Sequence, residues 1–581
     1  MNDKIKPAHF SGLFFFLASQ APRQIFVSIL LSIMSGIAYS FLIPLVLMSV
    51  QSSDDFLLSP AEDAPVFLWD FEVYQPDFAL AFASLCVFIL ITRSAAQIMF
   101  SRVVVASSCQ LRIYLCRRIN QMPIANLEKI GQPELTTSLT SDIPALISGA
   151  SVYPQLFTSI STLFGIFGFL LVLNLDVFIL VLTVILFGII TYRLPVMLSN
   201  RYFTFARTAF SKILADLSGV VLGAKELKLN PRRREDFMQK NLVAHVAHYR
   251  KQQTKALSVT AVAVNYGSMI SFFAIGILTY IISSDLDLSK EILVGTIMAL
   301  LYAVGPIGVI MNLISSYQQG NVALKRMRRL LGQMPVEAES SMPVKAFDTI
   351  RLEQICYEYD RENGFTVGPV DLSLKSGEVT FLVGGNGSGK STLAKIITCH
   401  YLNSRGRLLF DDQAIDATNI SGARTHISAI YTDFHLFTRL YGLSGDEVAK
   451  AGQYLELLQL SDKVSIVDNG FSSIHLSDGQ KKRLALVVAY LDDTKVYLFD
   501  EWAADQDPQF KAFFYQHLLP DLKAKGKIVI VISHDDQYFD TADQVVKLGE
   551  GRILNISRPA GENLPPGMKT AGKLDTIAGA G

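Results

Sequence analysis

The sequence predicts a six-span α-helical membrane domain followed by a C-terminal α/β P-loop domain. Three observations carry that prediction. Apolar runs of about 20 residues crowd the first 316 positions, each long enough for a helix to cross a bilayer core of ~30 Å. A glycine-rich loop occupies Gly384–Ser391 between a strand pattern and a helix pattern. A further apolar strand pattern, Val496–Phe499, ends in Asp500 and Glu501, about 110 residues after that loop.

Composition agrees with a membrane chain. The 581 residues are 50% hydrophobic and 18% charged, and mean hydropathy is +0.33. A soluble chain carries about 25% charged residues. The length suits two or three domains. Net charge is zero, so no overall basic field would draw nucleic acid, and no nucleic-acid partner is expected. Five cysteines occur without a CxxC pair, and no HExxH or His/Cys cluster has metal spacing. They read as reduced packing cysteines, not a disulfide framework or metal site.

The candidate spans are Ile25–Val50, Ala79–Val104, Leu156–Leu175, Val177–Leu198, Leu257–Ile282 and Ile292–Ser315. Their connections alternate in charge. Gln51–Asp77 holds seven acids and no Lys or Arg. Ala106–Ser151 holds Arg112, Arg117, Arg118 and Lys129, and Ser199–Ala256 holds twelve Lys and Arg residues. Positive charge marks the cytoplasmic side, which puts both long loops inside. Helical periodicity in these loops breaks near Gln132–Pro133 and Asn230–Pro231, as in helical arms that descend from the membrane and reverse at a turn. The turns near Gly131–Leu135 and Glu226–Asn230 are the expected docking points on the C-terminal domain, near Phe434 and Phe437. The N-terminal stretch imitates a signal peptide. An even number of crossings below a cytosolic C-terminal domain instead puts it inside, so Phe10–Ser19 is expected to lie along the inner membrane face.

These features divide the chain into an N-terminal elbow at 1–20, a membrane domain at 21–320 and a linker at 321–346. The P-loop domain takes 347–557, and a flexible tail rich in Gly, Pro and Ala takes 558–581. No internal repeat is evident, so a two-halved pore requires a second identical chain.

The P-loop reads Gly384-Gly385-Asn386-Gly387-Ser388-Gly389-Lys390-Ser391 and runs on into Thr392. It follows the apolar strand Val379–Val383 and opens a helix, the context this motif requires. Its glycines let backbone N–H groups wrap the phosphates of ATP at a helix N-terminus. Lys390 would reach the β- and γ-phosphates, and the Ser391 hydroxyl would ligate Mg²⁺. Asp500 would hold Mg²⁺ through water, and Glu501 would polarise the attacking water.

Leu476-Ser477-Asp478-Gly479-Gln480 precedes a helix whose start is rich in Lys and Arg. With the P-loop, it resembles the LSGGQ signature of ABC ATPases; Asp478 stands where the family has glycine. The resemblance implies an ABC exporter in which Ser477, Gly479 and Gln480 of one subunit close over ATP on the P-loop of the other. It further implies that Tyr359 stacks on adenine, His534 contacts the γ-phosphate and Asp507 is the D-loop aspartate. Thr432 stands where the family carries a Mg²⁺-sensing glutamine, and Asp433 beside it is the expected substitute as a metal ligand. The short helical subdomain, the run Asp500–Pro508 and Ser533-His534-Asp535-Asp536 look like the cyclic-peptide exporter group, which includes exporters of siderophore precursors.

The expectation is therefore ATP-driven export of a cyclic or modified peptide, or a siderophore-type product, across the bacterial inner membrane by a homodimer in contact with lipid. A lipid flippase, a multidrug exporter and an ATP-gated channel or sensor remain open alternatives. Arg93 and Arg193 interrupt two spans at similar depth. They either line a transport cavity or snorkel to headgroups.

Overall fold

A computed structural model describes residues 12–56, 67–68, 71–72, 75–282, 289–337, 344–359 and 364–559. Residues 560–581 of the expected tail, and residues 1–11 of the expected elbow, lie outside the described residues. The chain forms two compact units. One holds the N-terminal residues up to Arg117 together with Pro133–Gly332, and the other holds Arg118–Gln132 with the chain from Gln333 onward.

Among the described residues, six helices are long and apolar enough to cross a membrane: Pro22–Ser49, Pro76–Asn120, Gln132–Leu173, Leu175–Leu222, Pro231–Ile281 and Lys290–Gly332. The fourth has 48 residues. At ~1.5 Å per residue it runs roughly 70 Å, more than twice a bilayer core of ~30 Å. The excess is long enough for the helical arm that the basic loops predict. Local chemistry sets the ends. The Asn174 side chain caps the fourth helix by accepting from the Asp176 and Val177 N–H groups, at 2.9 and 3.0 Å. Packing relies on small polar side chains, which let helix backbones approach closely. Ser28 donates to the Ala96 carbonyl at 2.7 Å, and Thr162 to the Gly36 carbonyl at 3.2 Å.

Three expectations change in detail. The first span breaks at Phe41, between Pro22–Ser40 and Leu42–Phe56. The short N-terminal helix Leu13–Gln20 buries Leu13, Phe16 and Leu17, so it is packed into the unit. The basic stretch Gln318–Leu331, which reads as helical, is continuous with the last span in one helix to Gly332, past the boundary set at 321, because apolar spacing persists at Leu324, Met327, Leu330 and Leu331, all buried.

The second unit is α/β. A six-stranded sheet runs in the order Arg552–Ser557, Gln544–Gly549, Val379–Val383, Ile528–Ile532, Val496–Asp500, Ile427–Ile430. All neighbours are parallel except the Arg552–Ser557 edge. A four-stranded antiparallel sheet, ordered Thr366–Lys375, Thr349–Glu358, Arg405–Phe410, Gln413–Ile415, lies in the same unit. Val379–Val383, Val496–Asp500 and Ile528–Ile532 are buried at every position, which explains why they are apolar apart from Thr380 and the terminal Asp500.

The helix Ile124–Ile130 belongs to this second unit. Pro123 precedes it, and Gly131, at φ +81°, ends it. Ile124 and Ala125 pack against the same buried core as Tyr357 and Tyr359. Glu128 accepts from Lys395 Nζ at 2.7 Å and from the Tyr401 hydroxyl. The docking point expected near Gly131–Leu135, against Phe434 and Phe437, is thus Ile124–Ile130, against Lys395 and Tyr401. The reason is that Pro123 and Gly131 bracket a helical turn whose Glu128 finds a cation and a phenol. The other expected turn is Ala224–Leu229, followed by the cap residue Asn230.

Candidate functional site

Topology brings the sequence motifs together. The three buried parallel strands are neighbours, and Gly384–Ser391, Glu501 and Ser533–His534 follow their carboxyl ends. That end of an open parallel sheet is where ligands bind. Gly384 turns the chain at φ +151°, where a Cβ would fall 2.3 Å from the Leu548 carbonyl oxygen, so a larger residue cannot pass there. Asn386 and Gly387 are exposed, while Ser388, Lys390 and Thr392 are buried.

Lys390 Nζ donates to the Gly384 and Gly385 carbonyls at 2.7 and 3.0 Å. Burial lowers its pKa, and the charges of Glu501 and Asp500 oppose that shift. The ammonium and the two carboxylates therefore share one electrostatic neighbourhood. Burial raises the pKa of Asp500. Thr432 Oγ1 donates to its Oδ2 at 3.1 Å. The hydroxyl at the family's glutamine position thus meets Asp500 itself, while Asp433 stands exposed. Among the described residues no three His, Cys, Asp or Glu side chains converge as a metal cluster. His534 Nε2 lies 3.4 Å from Glu501 Oε1.

The residues suit a magnesium nucleotide. Ser388 Oγ is buried and has no hydrogen-bond partner, so the loop holds an unspent polar group. Asp500 is a buried carboxylate that a cation would satisfy. The Tyr359 hydroxyl lies 2.9 Å from Thr392 Oγ1, which ties the expected adenine-stacking ring to the helix that opens at the P-loop. Tyr359 stands edge-on to Tyr357 and Tyr401, with centroids 5.1 and 6.3 Å away.

The signature is a helix start. Ser477 Oγ accepts from the Gln480 N–H, and Gln480 Oε1 accepts from the Ser477 N–H, forming a reciprocal capping box. Gln480 is thereby engaged in its own turn, whereas Ser477 remains exposed. Asp478 is exposed and pairs with Lys481 at 3.0 Å. Asp507 caps the helix Pro508–Phe513, accepting from the Phe510 N–H at 2.8 Å.

A family profile described as ABC transporter matches residues 367–504. "ATP-binding protein SyrD" of Pseudomonas syringae pv. syringae is 36% identical over 506 residues, which is 83% of this chain and 89% of that protein. The chain belongs to the ABC transporter family. It is an ABC exporter with fused membrane and ATPase domains. An "ATP-dependent lipid A-core flippase" of Aliivibrio fischeri is 27% identical over 331 residues, 53% of this chain and 55% of that protein. The fold matches the "Structure of a bacterial Atm1-family ABC exporter with ATP bound" at a TM-score of 0.73 and 17% identity, covering 93% of this chain and 96% of that one.

Sequence reading of the exporter missed Glu128, Lys395 and Tyr401, whose meeting spans some 270 positions and leaves no local pattern. It also missed Lys482, a buried lysine. The signal that pointed to it was the pair Lys482-Arg483 leading straight into the apolar run Leu484–Leu491 of the same helix.

Proposed function

We propose that two copies of this chain form an exporter that hydrolyses ATP to move a cyclic or modified peptide, or a siderophore-type product, out across the bacterial inner membrane. One observation carries the enzymatic part: Glu501 stands beside His534, and the strands they follow, Val496–Asp500 and Ile528–Ile532, lie in order beside the P-loop strand. Lys390 and the P-loop amides bind the phosphates. Ser391 and Asp500 would hold Mg²⁺, with Thr432 fixing the Asp500 carboxylate. When bound, Mg²⁺ neutralises charge on the β- and γ-phosphates. Glu501 orients and deprotonates the attacking water, and His534 holds the γ-phosphate side of the site.

The exposed Ser477 supports a shared site, with each signature serving the partner's nucleotide. ATP binding then closes the two ATPase domains, and hydrolysis reopens them. The Ala224–Leu229 turn of the second copy is suited to the hollow of about 710 Å³ lined by Tyr431, Phe434, Phe437 and Tyr441, since Leu229, Phe437 and Tyr441 all present bare apolar surface. The peptide assignment rests on the motif resemblance in the ATPase half. The relatives named for lipid A-core flipping keep lipid as the second reading.

Two measurements test the proposal. With native cysteines removed, Ser388→Cys and Ser477→Cys should cross-link between chains when ATP is present; linkage confined to one chain would sink the shared site. Inverted vesicles should accumulate a cyclic peptide or siderophore-type product in an ATP-dependent manner. Lipid flipping without such uptake would favour the second reading.

A further inference from the structure

We infer that Lys482 is a positioning residue for Glu501 and that, with Trp502, it bolts the signature helix to the loop carrying that base. The inference rests on the assignment of Glu501 made above. Lys482 lies in the helix Asp478–Asp492, two residues after the signature. Its side chain is 3% exposed. A buried ammonium must spend its donors well. Here Nζ donates to the Glu501 carbonyl oxygen at 2.8 Å and pairs with Asp505 Oδ2 at 2.7 Å. In return, Trp502 Nε1 donates to the Lys482 carbonyl at 2.9 Å. Three polar contacts thus join one helical residue to the segment 501–505.

The segment needs such an anchor. Glu501 adopts φ +49°, in the left-handed region that a glutamate occupies only under restraint. Its carbonyl is the group Lys482 holds, so the ammonium fixes the peptide plane from which the carboxylate projects toward His534. Trp502 cannot drift either. Its ring is 1% exposed and stacks on Phe514 at 4.5 Å.

Neighbouring contacts make the joint stiff. Arg483 Nε donates to Gln506 Oε1 at 2.8 Å, and Gln506 Nε2 donates to the Gly479 carbonyl at 3.0 Å. A Cβ on Gly479 would fall 2.4 Å from the Asp505 carbonyl oxygen. The signature turn and the loop after the base therefore touch directly. The signature, which closes over the partner's nucleotide, and Glu501, which serves the chain's own nucleotide, move as one body. Lys482 touches neither nucleotide and acts through Glu501.

The test uses the full-length transporter in lipid nanodiscs, in a Trp69→Phe background so that Trp502 is the sole tryptophan. Lys482→Met keeps the length and removes the charge. It should lower kcat for ATP at least tenfold, leave KM for ATP within twofold, and shift the Trp502 emission maximum. Lys482→Arg should recover part of the rate, because the guanidinium keeps charge and donors. Trp502→Phe, which loses only the indole donor and little volume, should lower kcat several-fold. Wild-type kcat in Lys482→Met overturns the inference. If Lys482→Met binds no nucleotide, Trp502→Phe decides, and an unchanged kcat there overturns it. Glu501→Gln is measured alongside: inactivity there with an active Lys482→Met sinks the positioning role alone. A fully active Glu501→Gln sinks the base assignment itself.

Discussion

Glu501 and Asp500 are adjacent acids with separate environments, and that separation divides their roles. Asp500 is buried and held by Thr432, while Glu501 turns outward to His534. Glu501→Gln keeps the shape and removes the base, so it should bind ATP normally and lose hydrolysis by about 10²–10⁴-fold. Lys390→Ala should instead weaken nucleotide binding. A Glu501→Gln variant turning over at the wild-type rate refutes the assignment. His400 offers a pH test in the same domain. Burial, aided by Arg424 and Lys395, lowers its pKa to about 4 against the opposing charges of Glu128 and Glu337. Its Nδ1 meets Thr398 Oγ1 at 2.8 Å and the Tyr431 hydroxyl at 3.3 Å. A histidine unfolds to a pKa of about 6.5. The fold thus favours the neutral ring, and the unfolded chain takes up the proton first. This contribution to stability is complete above about pH 6.5 and is lost as pH falls toward 4. Melting scans should therefore show His400→Gln losing less Tm than wild type between pH 6.5 and 4.5. Parallel losses in both proteins would remove His400 as the cause.

At the scale of elements, the helix Ile124–Ile130 connects two long helices of the membrane domain in sequence yet packs with the ATPase domain. Glu128 binds Lys395 and Tyr401, and Tyr401 stacks on Tyr357 at 4.7 Å beside Tyr359. Nearby, Arg424 grips the Glu337 carboxylate through two nitrogens at 2.5 and 2.7 Å, and the Glu337 N–H donates to the Gln121 carbonyl at 2.7 Å. The segment after the last membrane helix is thereby held. Glu128→Ala should lower transport per ATP hydrolysed about fivefold, since a partly exposed ion pair contributes on the order of 1 kcal/mol. Glu128→Gln should lose less, because the amide still accepts from Tyr401. An unchanged transport-to-ATP ratio in Glu128→Ala would rule out this link. These contacts also mark where sequence stops being informative. Spans are legible because a bilayer demands apolar length locally, and the P-loop and signature are legible because phosphate binding demands adjacent residues. Glu128–Lys395, Thr432–Asp500 and Lys482–Asp505 join residues far apart in the chain, each polar for reasons visible only across a fold. The domain boundary set at 321 cuts this helix, because its basic residues between the buried Leu324, Met327 and Leu330 leave the stretch looking separate from the apolar span.

For the whole molecule the open quantity is the chemistry of the cargo, and the membrane helices supply one clue. Arg93 lies 14 residues after Ala79, and Arg193 lies 16 after Val177. At ~1.5 Å per residue both stand roughly 20–25 Å down a ~30 Å core, in its inner half. Each is exposed on the single chain, as is Gln97, one helical turn beyond Arg93. An intramembrane guanidinium is costly and faces either a watery cavity or, by snorkelling, the headgroups. A cavity lined by two forked donors would suit a carboxylate-bearing peptide or siderophore, because arginine holds a carboxylate through paired hydrogen bonds. On that reading the Arg93→Ala, Arg193→Ala double variant should lose most substrate-stimulated ATPase and vesicle uptake of a carboxylate-bearing product, while its affinity for ATP stays unchanged. Lysine at both positions should restore only part, since the charge returns without the fork. The comparison also separates cargo from lipid contact. Snorkelling serves the bilayer alone, so its loss should leave stimulation by substrate intact. Full uptake by the double alanine variant would take Arg93 and Arg193 out of the cavity.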